Sequence, residues 1–178
     1  MDSTKQNVGK IVITALFAAL ACVATMIIKV PTVGTNGYVN IGDTIVLLSA
    51  WMIGGVYGAL AAGIGSALSD FISGYGTYVP GTFIIKFLMA LVAYLIFTAF
   101  KKTNINKVVA YIVSGVVAEV IMVLGYFLYE STLLGYGLGA VPSIGSNSIQ
   151  GVTCLVLGFI AIFALEEAKV IKLVKKFV

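Results

Sequence analysis

Apolar runs of membrane-spanning length follow one another along almost the whole chain, leaving only short polar connections between them. A hydrocarbon core of about 30 Å takes about 20 apolar residues as a helix. The chain has 178 residues, 60% of them hydrophobic and 10% charged, against roughly 25% charged in an ordinary soluble domain. A soluble globule is excluded. The length has room for about six spans and almost nothing else, so the expectation is a single all-α integral membrane domain over residues 1–178.

The first apolar run, 10–30, stops at Pro31, which cannot continue a helix and disfavours helix in the residue before it. No small-residue cleavage pattern follows it, so it reads as a retained span rather than a removable signal. The stretch from Ile41 to Ser73 is too long for one span and is broken at Gly54-Gly55, which divides it into spans 41–55 and 57–73. Gly58, Ala62 and Ser66, with Gly63 and Ala67 beside them, give the latter a small-residue face for close helix packing. Spans 82–100, 108–129 and 149–165 complete the set, with a glycine-rich loop expected from Glu130 to Ser148.

All 11 basic residues are lysines, against 7 acidic residues. With six spans, Lys5, Lys10, Lys101, Lys102, Lys107, Lys169, Lys172, Lys175 and Lys176 fall on one side, and only Lys29 and Lys86 do not. Because lysine-rich connections stay in the cytoplasm, both termini are expected there. These lysines flank apolar segments and form no basic water-facing patch of the kind nucleic acid needs. Cys22 and Cys154 lie inside apolar runs without a CxxC or His partner and read as packing residues.

The three connections on the other side, TVGTNGYVN (32–40), GYGTYVPG (74–81) and GYGLGAVPSIGSNS (135–148), are nearly free of charge and rich in Gly, Tyr, Asn, Ser and Thr. Such residues let backbone approach a ligand, offer aromatic faces and supply hydrogen bonds to a neutral heteroatom-rich solute. Ordinary polar loops have a related composition, but its recurrence on one side favours a binding mouth.

Ionisable residues within spans cost on the order of 2.5–3.5 kcal/mol at a helix centre, so each needs a reason. Asp70 and Lys86 stand at similar apparent depths beneath the second of these connections and are expected to pair, as a structural ion pair or as part of a site. Glu119 lies mid-span, where it faces a polar cavity or a partner on another helix. Asp43, Trp51, Tyr126, Tyr129 and Gln150 are weaker candidates, Trp51 and the tyrosines also fitting an interfacial aromatic belt. The chain has no His and no GxxxxGK[ST] loop. Ser-His and Cys-His triads, HExxH zinc sites and ATP hydrolysis are thereby excluded, and neither metal, cofactor nor enzymatic activity is expected.

Taken together, the segments GYVNIGD (37–43), SALSDFISGY (66–75) and PGTFIIK (80–86) resemble the S components of energy-coupling factor (ECF) vitamin transporters. The likeness runs over essentially the whole chain and is greatest to the riboflavin-related branch that includes hydroxymethylpyrimidine and pyridoxine-type S components. It implies a substrate-binding subunit in a prokaryotic plasma membrane, partnered by a membrane coupling subunit and two ATPases. It also implies docking through small residues four apart on the first span, matched by Ala15 and Ala19, with Ala18 and Cys22 alongside. Substrate contacts implied by the resemblance are Lys86, carried over as a motif residue, and, by region, Asn36, Tyr38, Asn40, Tyr75, Tyr78, Glu119, Tyr126, Asn147 and Gln150. A vitamin B6 vitamer or hydroxymethylpyrimidine is the first expectation for the ligand, and riboflavin the second. The competing readings are a stand-alone ion-coupled carrier or channel working through Glu119 and Asp70, and a membrane assembly factor with no tight ligand.

Overall fold

The structure, a computed structural model, describes residues 3–32, 34–103 and 105–177, with side chains from residue 7 onward. Val33, in the first connection, and Asn104, in the lysine-rich one, lie outside the described residues. Helix α1 (Ser3–Ile27) leads into a two-strand antiparallel hairpin, β1 (Val30–Pro31) and β2 (Tyr38–Val39), in which Val30 faces Val39 and Pro31 faces Tyr38. Then come α2 (Asp43–Met52), α3 (Gly55–Ile72), α4 (Val79–Lys102), α5 (Lys107–Leu128), α6 (Val141–Glu167) and the short α7 (Val170–Val174).

Among the described residues, five helices are long and apolar enough to cross a membrane, namely α1, α3, α4, α5 and α6. The expected second span is a helix too, but α2 has only 10 residues, about 15 Å of rise and half the hydrocarbon thickness. Eight of its residues are buried, including Trp51, so it forms an internal strut. Trp51 is therefore no belt residue: its indole N–H donates to Ser114 Oγ at 3.0 Å and its ring meets Tyr111 edge-on at 5.0 Å. The turn out of α2 needs Gly54 and Gly55, whose φ angles of 74° and 54° are strained for any residue with a side chain.

The small-residue face anticipated on α3 is distributed among three neighbours. Gly58 abuts the Ser49 carbonyl of α2, Gly63 abuts Phe83 of α4, and Gly65 abuts the Ala18 carbonyl of α1. Such approach of backbones supplies the dispersion contacts that hold helices together in lipid. Ala18 is accordingly interior, whereas Ala15 and Ala19 are exposed and Cys22 is half-buried, so the expected docking stripe is reduced to its outward members. A methyl group at Gly65 would press on backbone. Gly65→Ala is expected to cost about 1–3 kcal/mol, as overpacking does. Thermal unfolding of the detergent-solubilised protein checks this, and an unchanged transition would refute the α1–α3 contact.

The expected loop 130–148 is mostly helical. α5 runs on through a π-helical turn, Tyr129–Leu133, and a 3-10 turn, Gly137–Ala140, leads into α6 at Val141. Pro142 sits in the first turn of α6, where a missing N–H costs nothing, so the helix starts eight residues before the expected span. A Cβ at Gly34 would lie 2.7 Å from the Gly139 carbonyl, which places the hairpin tip against this 3-10 turn.

Candidate functional site

Beneath the hairpin, the ends of α3, α4, α5 and α6 enclose a polar cavity inside an otherwise apolar bundle. Its lining includes Thr25, Thr32, Tyr38, Asn40, Ser66, Asp70, Tyr78, Thr82, Lys86, Tyr126, Glu130, Asn147 and Gln150. Side chains meet across it and leave about 20 Å³ free. A ring-sized ligand needs more room than this conformation leaves.

The deepest part of the site is organised by Asp43, the first residue of α2, where the partial positive charge of a helix N-terminus favours a carboxylate. Lys86 forms a buried ion pair with one oxygen of Asp43, and Gln150 Nε2 donates to the other. Gln150 Oε1 in turn accepts the Asn40 backbone N–H at 2.6 Å, tying α6 to the end of the hairpin. The Lys86 ammonium also lies 5.1 Å from the centre of the Tyr126 ring, and the Tyr126 hydroxyl shares a 3.0 Å hydrogen bond with Thr82.

The expected Asp70–Lys86 pair is thus corrected to Asp43–Lys86. The reason lies in helix register: α4 begins at Val79 rather than residue 82, which carries Lys86 seven residues in, about 10 Å deep. Asp70 sits only two residues from the end of α3 and stays near the rim. There its Oδ1 accepts the Tyr38 hydroxyl at 2.6 Å. Across the rim, Glu130 on the π-helical turn accepts the Tyr78 hydroxyl at 3.0 Å and also the Ser143 hydroxyl. Burial, and then the neighbouring carboxylate, push the Tyr38 phenol above its ordinary range. Burial and Glu130 do the same for Tyr78, against the hydrogen bond from Thr35. Both phenols therefore remain protonated donors.

Of the residues expected from sequence, Tyr38, Asn40, Tyr78, Lys86, Tyr126, Asn147 and Gln150 line this cavity. Tyr75 packs outside Tyr38, with ring centres 4.5 Å apart. Asn36 is exposed at the hairpin tip, and Glu119 lies behind the site between α5 and α6, against Gly151. Neither belongs to the lining. Glu119 is buried, and neither carboxyl oxygen has a hydrogen-bond partner among the described residues.

Sequence reasoning ranked Asp43 low and missed Glu130. A carboxylate just past an apolar run reads as interfacial, and only the π-helical turn, a common device at functional sites, rotates Glu130 inward. It also missed Thr25 and Ser66, whose buried hydroxyls have no partner among the described residues and line the cavity. Unsatisfied buried hydroxyls are costly, and a ligand is one way to satisfy them.

The opposite end of the bundle has a different chemistry. Lys107 pairs with Glu166, which also accepts the Tyr111 hydroxyl at 2.7 Å. Burial and the nearby Lys101 and Lys107 lower the Lys175 ammonium below its ordinary range, although Glu166 opposes this. The first turns of α1 reach the same end, since Gly9 lies against Phe177.

A family model described as "ECF-type riboflavin transporter, S component" matches residues 5–167. An uncharacterised protein of Pyrococcus woesei is 33% identical over 138 residues, which is 76% of this chain and 87% of that protein. Among solved structures, one described as "Structure and mechanism of the S component of a bacterial ECF transporter" matches with a TM-score of 0.64. It covers 89% of this chain and 95% of that one at 18% identity, a likeness of fold.

Proposed function

Since the chain belongs to the family of ECF-type riboflavin transporter S components, we propose that it is the substrate-specific subunit of an ECF-type importer in a prokaryotic plasma membrane. It captures a small water-soluble vitamin from outside and delivers it by docking on a membrane coupling subunit energised by two ATPases. The observation that carries this reading is the buried polar cavity under the hairpin, at the end of the bundle away from the Lys101, Lys107 and Lys175 cluster. Lysine-rich ends face the cytoplasm, which supports cytoplasmic termini and an external cavity.

A vitamin B6 vitamer or hydroxymethylpyrimidine remains the first choice of ligand and riboflavin the second. The lining is dominated by hydroxyl, amide and charged groups with tyrosine as its aromatic component, which suits a small, heavily substituted heteroaromatic ring better than a broad three-ring face. Asn147 and Gln150 on α6, with Tyr38 and Tyr78 above them, are the proposed ligand contacts.

Extraction of the purified protein, with mass spectrometry of what it releases, tests the ranking. A B6 vitamer or the pyrimidine supports it, and a flavin reverses it. The unpartnered Glu119 carboxyl favours one alternative, an ion-coupled carrier that works alone. Vitamin uptake by cells making this chain with and without the coupling subunit and ATPases separates the two. Uptake that needs the added subunits is the expected result, and equal uptake without them would sink the S-component reading.

A further inference from the structure

The rim of the cavity holds a feature that a neutral vitamin does not call for. Tyr38 and Tyr78 line it and Tyr75 and Tyr129 pack against them from outside, a row of four with successive ring centres 4.5, 6.5 and 6.3 Å apart, each ring tilted steeply against the next. A carboxylate is fastened to the row at two points, Asp70 on the Tyr38 hydroxyl and Glu130 on the Tyr78 hydroxyl. Asp70 is 4% exposed and Glu130 2%. A Cβ placed on Gly37, the residue before Tyr38, would lie 3.2 Å from a Glu130 carboxyl oxygen, so the hairpin brings the two ends of the row together.

The charges at this rim do not balance. Lys86 is neutralised by Asp43, and neither of the two ion pairs among the described residues includes Asp70 or Glu130. Lys29 stands beside the hairpin, but its ammonium bonds Ser73 and lies over the Tyr38 ring, 5.3 Å from its centre. That contact shows what the ring faces attract. A phenol that donates its proton to a carboxylate has a more electron-rich ring, and tyrosine faces around a desolvated space hold organic cations. Hydroxyl donors reach Oδ1 of Asp70 and both oxygens of Glu130 but leave both negative charges in a poorly solvated space, where they are costly. The unpartnered hydroxyls of Thr25 and Ser66 independently mark the same cavity as a place for a ligand.

We propose that the cavity selects an organic cation: a heteroaromatic ring bearing a protonated amine or a quaternary nitrogen, held against Tyr38 and Tyr78 between Asp70 and Glu130. This rests on the reading of the cavity as a vitamin site and narrows the class of vitamin it takes.

The test is calorimetric titration of the full chain in lipid nanodiscs at pH 7. Pyridoxamine is compared with pyridoxine, the same ring with hydroxymethyl in place of the protonated aminomethyl group. Thiamin serves as a quaternary cation and riboflavin as a neutral reference. Pyridoxamine or thiamin is expected to bind at least about tenfold more tightly than either net-neutral probe, the scale of one charge-assisted contact. Asp70→Asn and Glu130→Gln should each bring pyridoxamine and pyridoxine to within about twofold of one another, and Asp70→Glu should restore the preference.

Equal or tighter binding of pyridoxine or riboflavin by the unaltered protein overturns the proposal and leaves vitamin capture standing. Retention of the preference in both amide variants also overturns it. Binding of none of the four probes overturns this proposal and leaves the vitamin reading to the extraction experiment. The comparison of probes on the unaltered protein decides the matter even if a variant fails to fold.

Discussion

Lys86→Met is expected to destabilise the detergent-solubilised protein by about 3–5 kcal/mol, the usual cost of removing one partner from a buried ion pair. In a domain of this size that lowers the melting temperature by on the order of 10 °C. Lys86 is 2% exposed and Asp43 is fully buried. With the ammonium gone, Asp43 would keep only the Gln150 amide, and an uncompensated carboxylate would remain inside the bundle. The damage should spread, because the same Asp43 and Gln150 hold α2, α6 and the end of the hairpin in one network.

Asp43→Asn combined with Lys86→Met removes both charges and should recover more than half of the lost stability. A loss below about 1 kcal/mol in the single variant, or additive losses in the double, would show that this pair does not anchor the fold. Ligand affinity in the double variant carries separate information. Affinity that returns with stability makes Lys86 a positioning residue, and affinity that stays lost makes it a ligand contact.

Ala15→Trp with Ala19→Trp is expected to abolish uptake in cells that also make the coupling subunit and ATPases, while vitamin binding to the purified variant stays within about twofold. Both alanines are exposed on α1, among exposed Ile11, Val12, Leu16 and Val23, and neither lines the cavity, which α1 reaches only at Thr25. Close approach of helices in lipid depends on small side chains, and two indoles would hold a partner helix several ångströms away. The stability of the isolated chain should change little, since the new side chains project into lipid. Normal uptake by the double variant would remove this face from consideration as the docking surface. Ala18 offers no such test, because it packs on α3 and its replacement would disturb the chain itself.

Much of the fold was legible because its determinants are local and additive. The long apolar runs and the break at Gly54-Gly55 are features of adjacent residues with counterparts in the bundle, while α1 ends at Ile27, before the expected stop at Pro31, which lies in the hairpin. The half-length of α2 was not legible, since the run around it is as apolar as a full span and only packing decides where its helix stops. Polarity misled at 135–148, where glycines and serines read as loop, yet Pro142 opens α6 and turns Asn147 and Gln150 toward the interior.

The amino-acid sequence alone settled that this chain lives in a membrane, and its polar connections pointed to the end where its chemistry gathers. Hydrophobicity and the polarity of connections are sums over neighbours and need no fold to be read. Which charge meets which was decided in three dimensions. A shift of three residues in the start of α4 moves Lys86 from Asp70 to Asp43, and one π-helical turn brings Glu130 to the rim. Pairing falls off over a few ångströms while each helical residue advances 1.5 Å and turns 100°, so partners depend on register that no window of sequence contains.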